Sequence, residues 1–223
     1  MRFVRDNSLS IVFGVLFLAA LTGQAIAGHH DYNDNQAAHD AAPISFGDYV
    51  ASSRFGVEML ENWQSEYLQF SLFILATIWL YQRGSNESKH KEELGLESDE
   101  KQLVGRHAKR DSPRWARRKD WRHHLYANSL LLVMAVIFFG SWFGQSLTGW
   151  REYNDDQREH GQPQIPWSSY LGRGDFWERT LSNWQSEFLA VGSLAIFTVY
   201  LRQRGSPESK PVGSAHDDTG ASG

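Results

Sequence analysis

Two carboxylates stand where an ionised side chain is costly. Glu66 and Glu187 each close the string Asn-Trp-Gln-Ser-Glu, at 62–66 and again letter for letter at 183–187, and an apolar run follows each at once. A carboxylate at membrane depth is paired, faces water, or lies on an ion or proton path. Gln24 and Gln145 end two further apolar runs. Glu66 lies 17 residues from Arg83 and Gln24 lies 17 from Asn7, which at helical rise is roughly 25 Å in both cases. Against a hydrocarbon core of about 30 Å, all four residues fall at one level, just inside the outer leaflet. Gln24, Glu66, Gln145 and Glu187 are therefore the expected polar cluster, with Tyr32 and Tyr153 as lids. The plainer reading has both Glu side chains simply reaching the headgroup region.

A second constellation continues the first helix outward. Gln24, Gly28, Tyr32, Gln36 and His39 recur as Gln145, Gly149, Tyr153, Gln157 and His160. Steps of four, four, four and three put each set on one helical face. Asn33, Asn62 and Trp63, with their counterparts Asn154, Asn183 and Trp184, complete the repeated polar and aromatic set. One His per copy is too few for a metal or haem site, so no metal and no cofactor is expected. The chain has no Cys, which excludes thiolate chemistry and disulfides. No nucleophile elbow, phosphate loop or kinase signature is present, so no catalytic residue is assigned and no enzyme is expected.

The elements that hold these residues follow from a repeat. An offset of 121 carries Asn7-Ser8-Leu9 onto Asn128-Ser129-Leu130, Tyr32-Asn33-Asp34 onto Tyr153-Asn154-Asp155, and Gln82-Arg83-Gly84-Ser85 onto Gln203-Arg204-Gly205-Ser206. No gap is needed and roughly two-fifths of aligned positions are identical, which reads as a tandem duplication. Mean hydropathy is only -0.46, but the apolar residues are gathered into four runs, 9–26, 67–81, 130–147 and 188–201. The first and third reach the roughly 20 residues that span a bilayer. The second and fourth must borrow from the Asn-Trp-Gln-Ser-Glu segment. Arg2 and Arg5 before the first run, and Ala25-Ile26-Ala27 after it, imitate a signal peptide. The mid-chain copy of the same element argues for a retained helix. The fold expected is all-α: four transmembrane helices as two parallel-oriented two-helix repeats, with helical extensions outside and a pseudo-two-fold axis along the membrane normal.

Charge sets the orientation. Residues 83–122 hold twelve Lys and Arg, whereas 28–62 hold only Arg54. The positive-inside rule puts the linker and both termini in the cytoplasm. The organisation expected is a first repeat over 1–89, a basic linker over 90–122, a second repeat over 123–210 and a disordered tail over 211–223. Most of the linker is polar enough to read as disordered. Ser112-Pro113 looks like a helix start, and Trp115, Trp121 and Leu125 among basic residues suggest a short helix on the inner membrane surface. The expected partner is the lipid bilayer, together with a second copy or another membrane protein, and no nucleic acid.

These motifs resemble a family of uncharacterised bacterial integral membrane proteins, a domain-of-unknown-function family. The resemblance rests on Arg5-x-Asn7-x-Leu9-Ser10, Gly23-Gln24-x-x-x-Gly28, Tyr32-Asn33, Asn62 to Glu66 and Gln82 to Ser85, with their second copies. The second copy departs at its start, where Tyr126 replaces Arg and Leu131 replaces Ser. The resemblance implies a bacterial inner-membrane location and no activity. A structural or interaction role is expected first, and a small transporter or channel with its polar site near the outer leaflet second.

Overall fold

The computed structural model describes residues 2–221. It is 67% helical, with no strand among the described residues. The chain runs through α1 (Arg2–Asp6), α2 (Ser8–Ala38), α3 (Phe46–Val50), α4 (Ser53–Trp79), α5 (Trp121–Ala127), α6 (Ser129–Glu159), α7 (Trp167–Tyr170) and α8 (Gly174–Tyr200). Short 3-10 turns punctuate the linker at Lys91–Glu93, Gly105–His107 and Arg114–Arg117. The long helices α2 and α6 have 31 residues each, α4 and α8 have 27 each, and both pairs begin 121 positions apart.

A 31-residue helix is about 46 Å long, well beyond a hydrocarbon core of about 30 Å. The apolar half of α2 therefore runs without a break into a polar half, as the one-rod expectation required. Both α2 and α6 are long and apolar enough to cross a membrane, with mean hydropathy 2.1 and 1.9 over their best 18-residue windows. Only 6% and 22% of those windows are buried within the chain.

The hairpin linkers between helices have local causes. Ser45 caps α3 by accepting from the Asp48 backbone N–H at 3.2 Å. The Gln-Arg-Gly-Ser turns that follow α4 and α8 place Gly84 and Gly205 at φ +80° and +84°, a left-handed backbone that favours glycine.

Contacts divide the chain into two compact units. The first holds Met1–Leu60 and Gly144–Gly172, and the second holds Glu61–Phe143 and Arg173–Gly223. The first unit has a small aromatic core. Ala25, Tyr49 and Phe55 are buried, with Leu21, Tyr32, Ile44 and Met59 packed on them. The second unit is organised around Trp142, whose ring stacks on Phe138 at 5.7 Å and on Phe176 at 6.2 Å, and meets Trp184 at 5.9 Å.

Linker and tail take more definite form than their composition suggests. The expected start at Ser112-Pro113 opens a 3-10 turn, Arg114–Arg117, and no α-helix; Ser112 Oγ accepts from the Lys109 N–H at 2.8 Å and closes the preceding turn. The α-helix comes after it: α5, capped by Asp120, which accepts from the Arg122 N–H at 3.1 Å. In the tail, buried Lys210 donates from Nζ to the carbonyls of Ala215, His216 and Asp218 at 3.0–3.1 Å. Thr219 Oγ1 accepts from the Gly84 N–H at 2.9 Å, and Arg83 pairs with Asp217 at 2.9 Å. One cation collecting three carbonyls organises a segment that has almost no apolar side chain of its own.

Candidate functional site

In the first unit the repeated polar residues clamp the chain to itself. Asn154 donates from Nδ2 to the Ile165 carbonyl at 2.9 Å and accepts from the Ile165 N–H at 2.9 Å. Its side-chain amide thus satisfies both backbone groups of one residue, as a neighbouring strand would. Asn33 repeats this on Ile44, accepting from its N–H at 2.9 Å and donating to its carbonyl at 3.2 Å. A ring adds a further contact in each copy. Trp150 Nε1 donates to the Ile165 carbonyl at 2.7 Å, and His29 Nε2 lies 2.8 Å from the Ile44 carbonyl.

Tyr32 and Tyr153 are half-buried in matching positions of the two copies. Each packs on a second tyrosine, Tyr32 on Tyr49 at 5.9 Å and Tyr153 on Tyr170 at 5.7 Å. Tyr49 and Tyr170 are buried, and their hydroxyls lie against Gly28 and Gly149. The glycines of the repeated stripe thus make room for these rings. His39 and His160 lie at the far ends of α2 and α6, exposed, each with Nδ1 2.8 Å from a carbonyl of its own helix, Asn35 and Asp156. Among the described residues no three His, Cys, Asp or Glu side chains converge on one point.

Gln24 is half-buried and Gln145 is 1% exposed. Both amide atoms of Gln145 are buried without a hydrogen-bond partner among the described residues. Both copies of the Asn-Trp-Gln-Ser-Glu string belong to the second unit. There the buried side chains of the first string are Gln64 and Ser65. Trp184 Nε1 donates to Gln64 Oε1 at 2.7 Å, and Ser65 Oγ donates to Glu187 Oε1 at 3.4 Å. Glu66 is exposed and within electrostatic range of half-buried Glu187. Trp63 is half-buried and Asn62 exposed, its carbonyl accepting from Ser65 Oγ at 2.9 Å. Asn183 donates to the Arg179 carbonyl at 2.9 Å.

Several organising residues do not repeat, and a search keyed on repeats passes over them. Trp142 stands where the first copy has Leu21. Glu152, buried and 3.4 Å from Arg54 Nε, stands where the first copy has Asp31. Their signal was the departure from the repeat.

The linker and α5 enclose a cleft of about 770 Å³ with Arg106, Arg118 and Lys119 on its walls. Beside it, Arg122 lies over the Trp121 ring, 5.5 Å from its centroid.

The chain is thus an all-helical protein with two helices that could cross a membrane, each held to the segment after it by an Asn side chain. It belongs to the family defined by a domain of unknown function (DUF6766), which matches residues 1–221. No curated protein and no solved structure matches it.

Proposed function

We propose that the chain is a bacterial inner-membrane protein with four spans, two copies of a two-helix unit pointing the same way, and both termini inside. Its role is structural, holding itself and a membrane partner, and not enzymatic. One observation carries this reading: the large apolar side chains of the helices face outward. Leu9 and Phe13 on α2 and Val136 and Phe139 on α6 are 61–73% exposed. Lipid is the solvent in which such surfaces are stable. The same feature supports the two shorter spans, because Leu72 and Trp79 on α4 and Leu189 and Phe197 on α8 are exposed as well. The repeated Asn33 and Asn154 are occupied in holding backbone, which supports a structural role over a reactive one.

The chain has no Cys, so single cysteines report topology cleanly. In intact bacterial cells, Asp40→Cys and Gly161→Cys are expected to react with a membrane-impermeant maleimide. Ser98→Cys is expected to react only after lysis. Labelling of Ser98→Cys from outside would mean that α4 does not cross, and the four-span reading would fall.

The second reading, a small transporter or channel, is favoured by the proximity of Glu66 and Glu187. It predicts proton or cation flux in vesicles reconstituted with the purified chain, abolished by Glu66→Gln with Glu187→Gln. Flux of that kind would displace the structural reading.

A further inference from the structure

We infer that the cleft between the linker and α5 holds a headgroup carrying both charges, a phosphate diester with a primary ammonium, supplied by a phospholipid of the inner leaflet. The inference rests on the membrane reading above, which sets α5 at the inner surface.

Both walls of the cleft are held by hydrogen bonds. On the linker side a turn is closed by the Val104 N–H, which donates to the Asp99 carbonyl at 3.0 Å, and by the Leu103 N–H, which donates to the Glu100 carbonyl at 3.1 Å. On the other side Asp120 accepts from the Arg122 N–H at 3.1 Å and from Arg118 Nε at 2.8 Å. Trp115 packs edge-on against Tyr126 at 6.3 Å and ties the 3-10 turn to α5. The volume of about 770 Å³ falls among those of small-molecule sites, about 300–1,000 Å³.

The charges on the walls are of both signs. Arg106, Arg118 and Lys119 share the cleft with Asp99 and Glu100, and all five are exposed. Among the described residues no ion pair crosses the cleft. Arg118 pairs with Asp120, and Arg106 Nε donates to His107 Nε2 at 3.0 Å. The terminal amino groups of both guanidinium forks and the Lys119 ammonium are left to donate to a phosphate. A plain anion would meet two carboxylates there, and a plain cation would meet three positive groups. A zwitterion satisfies both sets. His123 lines the same cleft, and its Nδ1 is buried without a hydrogen-bond partner. Such an atom is costly unless paired. A phosphate oxygen would accept from it in the Nδ1–H tautomer.

Apolar side chains beside the cleft favour a lipid over a soluble zwitterion. Trp121 is 65% exposed and Leu125 41% exposed. Their spacing of four puts them on one face of α5. His124, on the cleft wall, is three positions on from Trp121 and borders that face. Ser129, which opens the apolar α6, is five positions further on. A headgroup in the cleft thus has side chains suited to its acyl chains next to it.

The full chain, purified in mild detergent, is mixed with equimolar phosphatidylethanolamine, phosphatidylglycerol and phosphatidylcholine, and retained lipid is counted by native mass spectrometry. Phosphatidylglycerol lacks the ammonium, and phosphatidylcholine lacks its N–H donors. One phosphatidylethanolamine is expected to be retained about five-fold over either, near the upper end for one added exposed ion pair. Asp99→Asn with Glu100→Gln should abolish the preference over phosphatidylglycerol, and Arg106→Gln with Lys119→Gln should lower retention of all three. Lys91→Gln with Arg114→Gln removes the same charge outside the cleft and should change neither. Equal retention of the three lipids by the wild type overturns the inference, as does an equal loss in the Lys91 and Arg114 pair. Displacement of the lipid by an equal concentration of soluble glycerophosphoethanolamine overturns the lipid as the occupant. Failure of the four-span reading shows in the maleimide assay, which contains no added lipid. A chain that passes that assay and shows no lipid preference refutes the inference alone.

Discussion

The hydroxyl of Tyr170 occupies the space beside Gly149 that a side chain would need: a Cβ there would fall 2.5 Å from Oη. Tyr49 stands against Gly28 in the same way. Both tyrosines are 1% exposed and have no room to retreat. Gly149→Ala and Gly28→Ala are therefore expected to lower stability by about 1–3 kcal/mol each, the range for overpacking. Gly23→Ala, where nothing lies within 4 Å, should stay within about 0.5 kcal/mol in detergent-dispersed monomer. Unfolding followed by tryptophan fluorescence would rank the three. Equal effects would show that the close approach is not what selects glycine.

The helices were legible because long apolar runs and an ungapped repeat both mark them. The extension of α2 to Ala38 followed from a stripe, Gln24 to His39, that keeps helical phase past the apolar stretch. The identity of the side chains that matter was less legible. Repetition weights Gln64 and Glu66 equally, but only Gln64 lies on the side of α4 that meets Trp184. Which residue of a string is buried depends on a neighbour 120 positions away, and spacing alone does not supply it. The tail was unreadable for another reason. Composition measures apolar surface, and the tail is held by Lys210 and backbone carbonyls instead.

Asn154 satisfies two backbone groups of Ile165, so its removal leaves both without that partner. Hydrogen bonds of this kind contribute about 0.5–1.5 kcal/mol each, and a buried group left unpaired costs about 1–3 kcal/mol. Asn154→Ala is expected to cost about 1–3 kcal/mol and to speed amide exchange at Ile165. Asn33→Ala should do the same at Ile44. Unchanged exchange at both would remove the clamp as an explanation for the repeated Tyr-Asn pair.

Burial pushes the Glu87 carboxyl above the usual carboxylate range, and its hydrogen bond to Glu208 and that group's charge act in the same direction. The folded state therefore holds a proton that the unfolded chain releases near pH 4.3, the ordinary value for Glu (about 4.3). Stability from this pair is complete below that pH and is lost as pH rises through the raised value. Glu87→Gln keeps a hydrogen-bonding group without a charge. It should flatten the pH dependence of thermal unfolding within that window, between the ordinary value and the raised one. A variant profile parallel to the wild type would locate the pH dependence elsewhere.

Trp184 donates to Gln64 at 2.7 Å, and Gln64 in turn donates to the Glu61 carbonyl at 3.1 Å. Gln64→Ala leaves the indole N–H unpaired in a half-buried site, and a loss of about 1–3 kcal/mol is expected. Adding Trp184→Phe should recover part of it, a coupling of about 0.6 kcal/mol being typical of polar pairs between membrane helices. Gln185 carries the same letter in the second copy but is exposed in the single chain. Gln185→Ala should therefore be silent in dispersed monomer. A loss of monomer stability equal to that of Gln64→Ala would mean that Gln185 is covered within the single chain.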